Sequence, residues 1–211
     1  HRVHRRQRQM CIRDRMADIL RTLKIYPALH EAIEVHFVEI SPTLRAAQRE
    51  KHPNAHWHER LADVPQGFSF FIANEFFDAL PVHQFEYRNN RWKERTIVWD
   101  QENQTFNTAL SSIPLPSKNV IPLHLPTPKD GDIFELCPAA ISVTHEIGAR
   151  ISHYGGAALI IDYGHDKQGF GDTIQALQSH QYTDILENPG QADITAHVDF
   201  STLNTSLKEV G

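Results

Sequence analysis

Residues 68–74, FSFFIAN, constrain this chain more than any other stretch. An uninterrupted apolar run of strand length is what a strand covered on both faces looks like, and such strands belong to parallel sheets flanked by helices. The run stops at Asn74, Glu75 and Asp78, and Pro81 ends the segment. An amide and two carboxylates at the mouth of the most apolar strand need a reason. Polar groups there either cap a turn or face a ligand.

The flanking sequence extends the pattern. Met16, Ile19, Leu20 and Leu23 fall on one helical face, and Pro27 is expected to close that helix. Val35–Ile40 predicts a strand with Glu39 at its carboxyl end, and Ser41 then Pro42 predict an N-cap and first helical residue, leading through Leu44 to Gln48. A short strand is expected near Ala55–His58, then a loop. A helix is expected from Pro138 to Ile151, ended by Gly155 and Gly156, followed by a second buried strand, AALIIDYG, with Asp162 at its carboxyl end. The alternation predicts an α/β fold with a doubly wound, mostly parallel sheet. Val82–Tyr87 and Trp92–Trp99 around Asn89 and Asn90 read as an inserted β-hairpin. The proline-rich residues 111–132 read as an exposed connection. ENPGQADITAHVDF reads as loop, with Asp199 capping a last helix through Leu207.

Charge and cysteine usage narrow the function classes. Gln9–Arg15, QMCIRDR, resembles the translation of a sequencing-library adapter, so residues 1–15 are expected to be a non-native leader rather than a basic arm. The 211 residues carry net charge −5, and residues 16–211 alone hold 15 basic against 25 acidic groups, a net of −10. Such a surface repels phosphate backbones and suits a cationic partner. Cys137 stands alone beyond the leader, which favours a reducing compartment. No apolar run is long enough to span a membrane.

Three expected strand ends carry polar groups: Glu39, then Asn74 with Glu75, then Asp162. In doubly wound folds ligands bind at these ends, and a carboxylate after the second strand can accept both hydroxyls of a ribose. Phe76 and Phe77 would give Asn74 and Glu75 an apolar wall, an arrangement that can orient a nitrogen nucleophile. His52, His56 and His58 lie close together, but no metal-ligand spacing accompanies them and no metal is expected. His197 and Asp199, flanking Val198, would point the same way on an extended segment, as an acid/base pair or as a structural histidine beside a helix cap. No nucleophile elbow, phosphate loop or intact dinucleotide fingerprint is present.

The blocks MADILRTLK, VHFVEISPTLRAAQ, IANEFFDALPVHQF, LIIDYG and ADITAHVDF, in this order, resemble the MidA-type family of class I S-adenosylmethionine-dependent methyltransferases. The resemblance implies a Rossmann-like fold truncated at both ends, with residues 16–211 forming a partial methyltransferase domain that lacks the first strand and glycine-rich cofactor loop. It implies S-adenosylmethionine as cofactor, held by Glu39, Ile40, Asn74 and Glu75. Glu75, Asp78 and His197 are the implied catalytic residues. Phe76, Phe77, Glu135, Asp162 and Asp199 are the implied substrate contacts. The implied activity is arginine N-methylation of a protein, such as a subunit of respiratory complex I, in support of that complex's assembly. The cytoplasm of a bacterium or the mitochondrial matrix is the implied location. The 211 residues alone are expected to be inactive. A non-catalytic, chaperone-like client-binding role is the alternative, and neither nucleic acid nor membrane insertion is expected.

Overall fold

The computed structural model describes residues 15–114, 120–179 and 181–210. Most of the expected leader, residues 1–14, lies outside the described residues, as does part of the proline-rich connection, residues 115–119. The chain divides into two compact units. Among the described residues, unit 1 comprises residues 15–75, 145–161 and 210, and unit 2 comprises residues 76–114, 120–144, 162–179 and 181–209.

Unit 1 begins with α1, residues 15–23, the predicted amphipathic helix. Pro27 does more than close it: as first residue it opens a second short helix, α2, Pro27–Ala32, where its fixed φ and missing N–H cost nothing. The strand expected over 35–40 is shorter, β1, His36–Val38. Helix α3, Pro42–Lys51, starts as predicted, with Ser41 Oγ accepting from the Leu44 N–H at 3.4 Å. β2, His56–His58, pairs parallel to β1 in the register His36 to His56 and Val38 to His58. β3, Ser69–Asn74, pairs parallel to β8, Gly156–Ile161, over six positions, and Glu75 N–H prolongs the ladder to Ile161 O at 2.9 Å. A Cβ on Gly156 would lie 1.9 Å from Ser69 O, so only glycine permits this approach.

The expectation that the FSFFIA strand is covered on both faces is corrected. Phe70 and Ile72 on β3, with Leu159 and Ile161 opposite on β8, are exposed, Phe70 to 67%. Period-two alternation decides which side chains share that face. Among the described residues nothing covers it, and β1 with β2 and β3 with β8 form two separate parallel pairs.

Unit 2 is built on an antiparallel sheet in the order β6–β5–β4–β7: β4, His83–Arg88; β5, Arg91–Asp100; β6, Thr105–Pro114; β7, Ile133–Leu136. The predicted hairpin joins β4 to β5. Asn89 and Asn90 both take positive φ, 52° and 58°, as a two-residue turn matched to the strand twist requires. β6 is a correction, since residues 111–114 belong to this third strand and not to a connection. Phe85, Trp92 and Phe134 form the core, with Phe134 only 1% exposed, and Phe170 packs on Trp92 at 5.4 Å between ring centroids.

Helix α4, Pro138–Tyr154, carries the chain from unit 2 into unit 1 and ends at Gly155, whose φ is +79° and whose N–H bonds Ile151 O. The stretch after β8 is richer in strands than expected. β9, Gly164–His165, pairs with β13, Val198–Asp199, while β10, Gln175–Gln178, lies between β11, Gln181–Thr183, and β12, Asp193–Thr195. These strands have two to four residues, too short for alternation to announce them. Helix α5, Phe200–Glu209, is capped by Asp199 as predicted: Oδ1 accepts from Thr202 N–H at 3.0 Å.

Candidate functional site

The residues singled out in the sequence separate between the units. Glu39, Ile40, Asn74 and Glu75 belong to unit 1, whereas Phe76, Phe77, Asp78, Glu135, Asp162, His197 and Asp199 belong to unit 2.

In unit 1, Glu39 follows β1. Its Oε1 accepts from the Ser41 N–H at 2.9 Å and its Oε2 from Gln48 Nε2 at 3.5 Å. A carboxylate offers about four acceptor positions, so roughly two stay open, enough for the two hydroxyls of a ribose. Gln48 is itself fixed by Trp57, whose Nε1–H donates to Gln48 Oε1 at 2.9 Å. Ile40, beside Glu39, presents its side chain to solvent.

Asn74, the last residue of β3, is 5% exposed, and neither its Nδ2 nor its Oδ1 has a hydrogen-bond partner. A buried primary amide left wholly unpaired costs on the order of 1–3 kcal/mol for each unmet group, and such a group persists where a ligand or an ordered water pairs with it. Glu75 follows at φ 48°, in the left-handed region that a residue with a Cβ rarely adopts. An orphaned amide followed by a strained backbone is the pattern of a ligand-facing strand end. The donor set fits S-adenosylmethionine: carboxylate capacity after β1 for hydroxyls, and a buried amide after β3 with donors and an acceptor to give.

In unit 2, Asp162 is occupied in a way the sequence reading did not anticipate. Its Oδ2 accepts from the N–H groups of Phe76, Phe77 and Asp78 at 3.1, 2.9 and 3.2 Å, and its Oδ1 from Tyr163 N–H at 2.9 Å. The carboxylate therefore holds the turn after Glu75 in shape. Phe76 and Phe77 meet edge to face at 5.2 Å, and Phe77 and Asp78 are buried.

A cavity of about 190 Å³ opens in unit 2, lined among others by Phe77, Glu135, His165, Thr173, His197 and Asp199. Four of these six were expected; His165 and Thr173 were not. Glu135 Oε1 accepts from Gln84 Nε2 at 2.7 Å and Thr173 N–H at 2.9 Å, and its Oε2 from the Thr173 hydroxyl. It thus ties β7 to the loop after Phe170, a loop also anchored by Asp172, which accepts from Gln84 Nε2 and Arg95 Nη1. Cys137, also at the cavity, donates to Pro81 O, and burial raises its thiol pKa above the usual range.

Of the two readings of His197 and Asp199, the helix cap by Asp199 forms and the acid/base pair does not: no hydrogen bond or ion pair joins the two side chains. His197 is exposed, and its backbone N–H donates to Thr173 Oγ1. The imidazole beside Asp199 is that of His165, with Nδ1 4.0 Å from Asp199 Oδ1. The parallel β9–β13 register, which sets Asp199 against His165, made that choice. No sequence rule links residues so far apart; the only local signal was a histidine just past the acidic end of an apolar strand. Among the described residues no group of three or more His, Cys, Asp or Glu side chains is placed to hold a metal ion.

The family model described as "Putative S-adenosyl-L-methionine-dependent methyltransferase" matches residues 14–211. The chain belongs to this family. Among the relatives of the family member, the zebrafish (Danio rerio) protein "Protein arginine methyltransferase NDUFAF7, mitochondrial" is 36% identical over 219 residues, covering 89% of this chain and 50% of its own length. The human protein of the same name is 36% identical over 195 residues, covering 81% of this chain and 43% of its own. The chain thus spans about half the length of the curated relatives it matches. A Burkholderia thailandensis protein solved bound to S-adenosyl-homocysteine superposes with a TM-score of 0.66 at 23% identity, over 84% of this chain and 48% of its own. At that identity the likeness establishes a shared α/β fold.

Proposed function

We propose that this family member forms part of an S-adenosylmethionine-dependent protein arginine N-methyltransferase with a doubly wound, mostly parallel sheet. Its proposed target is a protein of respiratory complex I, and its proposed place the mitochondrial matrix or the equivalent bacterial cytoplasm. Family membership supports the methyltransferase chemistry, and the names of the relatives support arginine as acceptor. The observation that carries the reading is the orphaned amide of Asn74, buried at a strand end in front of a residue with strained backbone.

When bound, the cofactor supplies an electrophilic methyl group. The task left to the protein is to present a nitrogen with an available lone pair. A guanidinium is a poor nucleophile, because its pKa exceeds about 12 and its lone pairs are delocalised. Glu39 and Asn74 hold and orient the cofactor; Glu75 shares the Asn74 strand end. Phe76 and Phe77 provide an apolar wall that excludes water, and the carboxylates of Glu135 and Asp199 set a negative potential in the unit 2 cavity for a cationic side chain. Orientation and charge placement are the main catalytic contributions such a site makes.

The test is calorimetric binding of S-adenosyl-homocysteine to the intact protein and to Asn74→Ala. A loss of about ten-fold in affinity is expected from the missing amide bonds. An unchanged Kd would remove Asn74 from the cofactor site. Glu39→Ala and Glu75→Gln separate the catalytic role from client binding: if complex I assembly survives both while cofactor binding is lost, the protein works as an assembly chaperone.

A further inference from the structure

Resting on the arginine methyltransferase reading, we propose that His165 is the proton acceptor for the guanidinium of the substrate in the unit 2 cavity, with Asp199 as its positioning residue. Both side chains line that cavity. β9 and β13 are two-residue strands held side by side by the Val198 N–H bond to Tyr163 O at 2.8 Å. A Cβ on Gly164 would lie 2.1 Å from Val198 O, so glycine at 164 is what lets His165 come level with Asp199.

Asp199 is held in place from the other side. Its Oδ1 accepts from Thr202 N–H at 3.0 Å and its Oδ2 from the Thr202 hydroxyl at 2.6 Å, which fixes the carboxylate plane. His165 Nδ1 is buried without a hydrogen-bond partner, 4.0 Å from Oδ1. That separation is too long for a hydrogen bond, and catalytic pairs in ligand-free sites are commonly loose and tighten once substrate binds. A carboxylate behind Nδ1 favours the tautomer with the proton on Nδ1, leaving the Nε2 lone pair to take a proton.

The other titratable groups at the cavity are less suited. Glu135 spends three acceptor positions on Gln84 and Thr173, and Cys137 is a half-buried thiol that donates to Pro81 O. Lys167 is a cation, and His197 is exposed and has no carboxylate partner. His165 alone combines a basic nitrogen, an anchored carboxylate behind it and a place on the cavity wall.

In the step, a guanidinium N–H bond breaks and an Nε2–H bond forms. The bonding pair remains on the guanidine nitrogen as the nucleophilic lone pair, and the positive charge passes to the imidazole, where Asp199 balances it. Methylation then restores the positive charge on the guanidine.

The experiment is histidine-selective ¹⁵N NMR on the intact protein, with ethylguanidinium as probe and His153 as internal reference. Neutral His165 is expected to carry its proton on Nδ1. Asp199→Asn should move that proton to Nε2. Ethylguanidinium should move the His165 ring ¹⁵N resonances and leave those of His153 in place. An Nε2-protonated His165 in the unaltered protein, a tautomer that Asp199→Asn leaves unchanged, or His165 resonances that ethylguanidinium does not move, overturns the proposal. Because Asp199 also caps α5, Asp199→Ser, which keeps a capping hydroxyl, is the second variant and should give the same change of tautomer. In methylation assays, His165→Gln should lower kcat by about 100-fold with KM little changed, and activity should recover as pH rises. Equal activity of His165→Gln and the unaltered protein overturns the proposal. Absence of any arginine methylation by the whole protein of which this chain forms part would instead remove the functional reading, and the NMR result would still decide whether His165 is the cavity's base.

Discussion

The two units solve the burial problem in opposite ways. Unit 2 closes its antiparallel sheet over a compact aromatic core, with Phe134 and Phe85 almost fully buried. Unit 1 pairs long apolar strands in parallel yet leaves one face of β3 and β8 open, so that Phe70, Ile72, Leu159 and Ile161 meet solvent. The same residue types therefore carry different energetic weight. An apolar side chain stabilises only in proportion to the area it removes from water.

The sharpest way to break this contrast is to truncate one aromatic in each unit. Phe134→Ala should destabilise unit 2 by roughly 3–5 kcal/mol, from lost transfer energy and the cavity left behind. Phe70→Ser on the open face of unit 1 should change stability by less than about 0.5 kcal/mol. Urea unfolding of both variants, followed by tryptophan fluorescence from Trp92 and Trp57, measures the difference. Equal losses would show that the open face is packed in solution.

Gly156→Ala attacks the β3–β8 ladder itself. The new Cβ would meet Ser69 O at 1.9 Å, and the residue sits at φ +131°, so a loss of roughly 1–3 kcal/mol is expected, with amide exchange faster along Ser69–Asn74. If exchange along β3 is unaltered, the close approach is not what holds the pair together. Asp162→Ala removes the acceptor shared by three N–H groups in unit 2 and should cost on the order of 1–3 kcal/mol, loosening Phe76–Asp78. Protection of those amides in a hydrogen-exchange experiment would contradict that role. Ser41→Ala, a lost N-cap, should cost about 1 kcal/mol and fray α3. Helicity by circular dichroism checks it.

The smallest effect is a pH dependence confined to unit 1. Burial, followed by the neighbouring His56 and His58, lowers the pKa of His36, whose Nδ1 lies 3.0 Å from His58 Nε2. Glu34, 3.7 Å from Nε2, opposes that shift. The folded state therefore binds a proton less readily than the unfolded chain. Its contribution is complete above the ordinary histidine pKa of about 6.5 and is lost as pH falls below that value. Denaturation midpoints should drop from pH 7.5 to pH 5, and His36→Asn should flatten the drop.

Legibility in the sequence followed the range of the interactions. The Ser41–Pro42 helix start, the Asn89–Asn90 turn, the Gly155 helix end and the Asp199 cap all rest on contacts within a few residues, and each appears where the sequence put it. The strands β6 and β9–β13 were missed or read as loop, because short strands carry too little alternation to be seen. At the site, Asn74 was legible as a polar residue ending an apolar run. Its lack of any partner was not, since satisfaction depends on everything around it.

The sequence by itself determined the alternation of strands and helices, the polar residues at their ends and the family. The tertiary structure decided which polar group meets which. It set Asp162 to hold a turn, set Glu135 to tie a strand to a loop, and gave Asp199 to His165 in place of His197. The physical reason is that a side chain's chemistry is fixed by its type, whereas its hydrogen-bond partners are fixed by strand register and close backbone approach. Those are set by residues far apart in the chain.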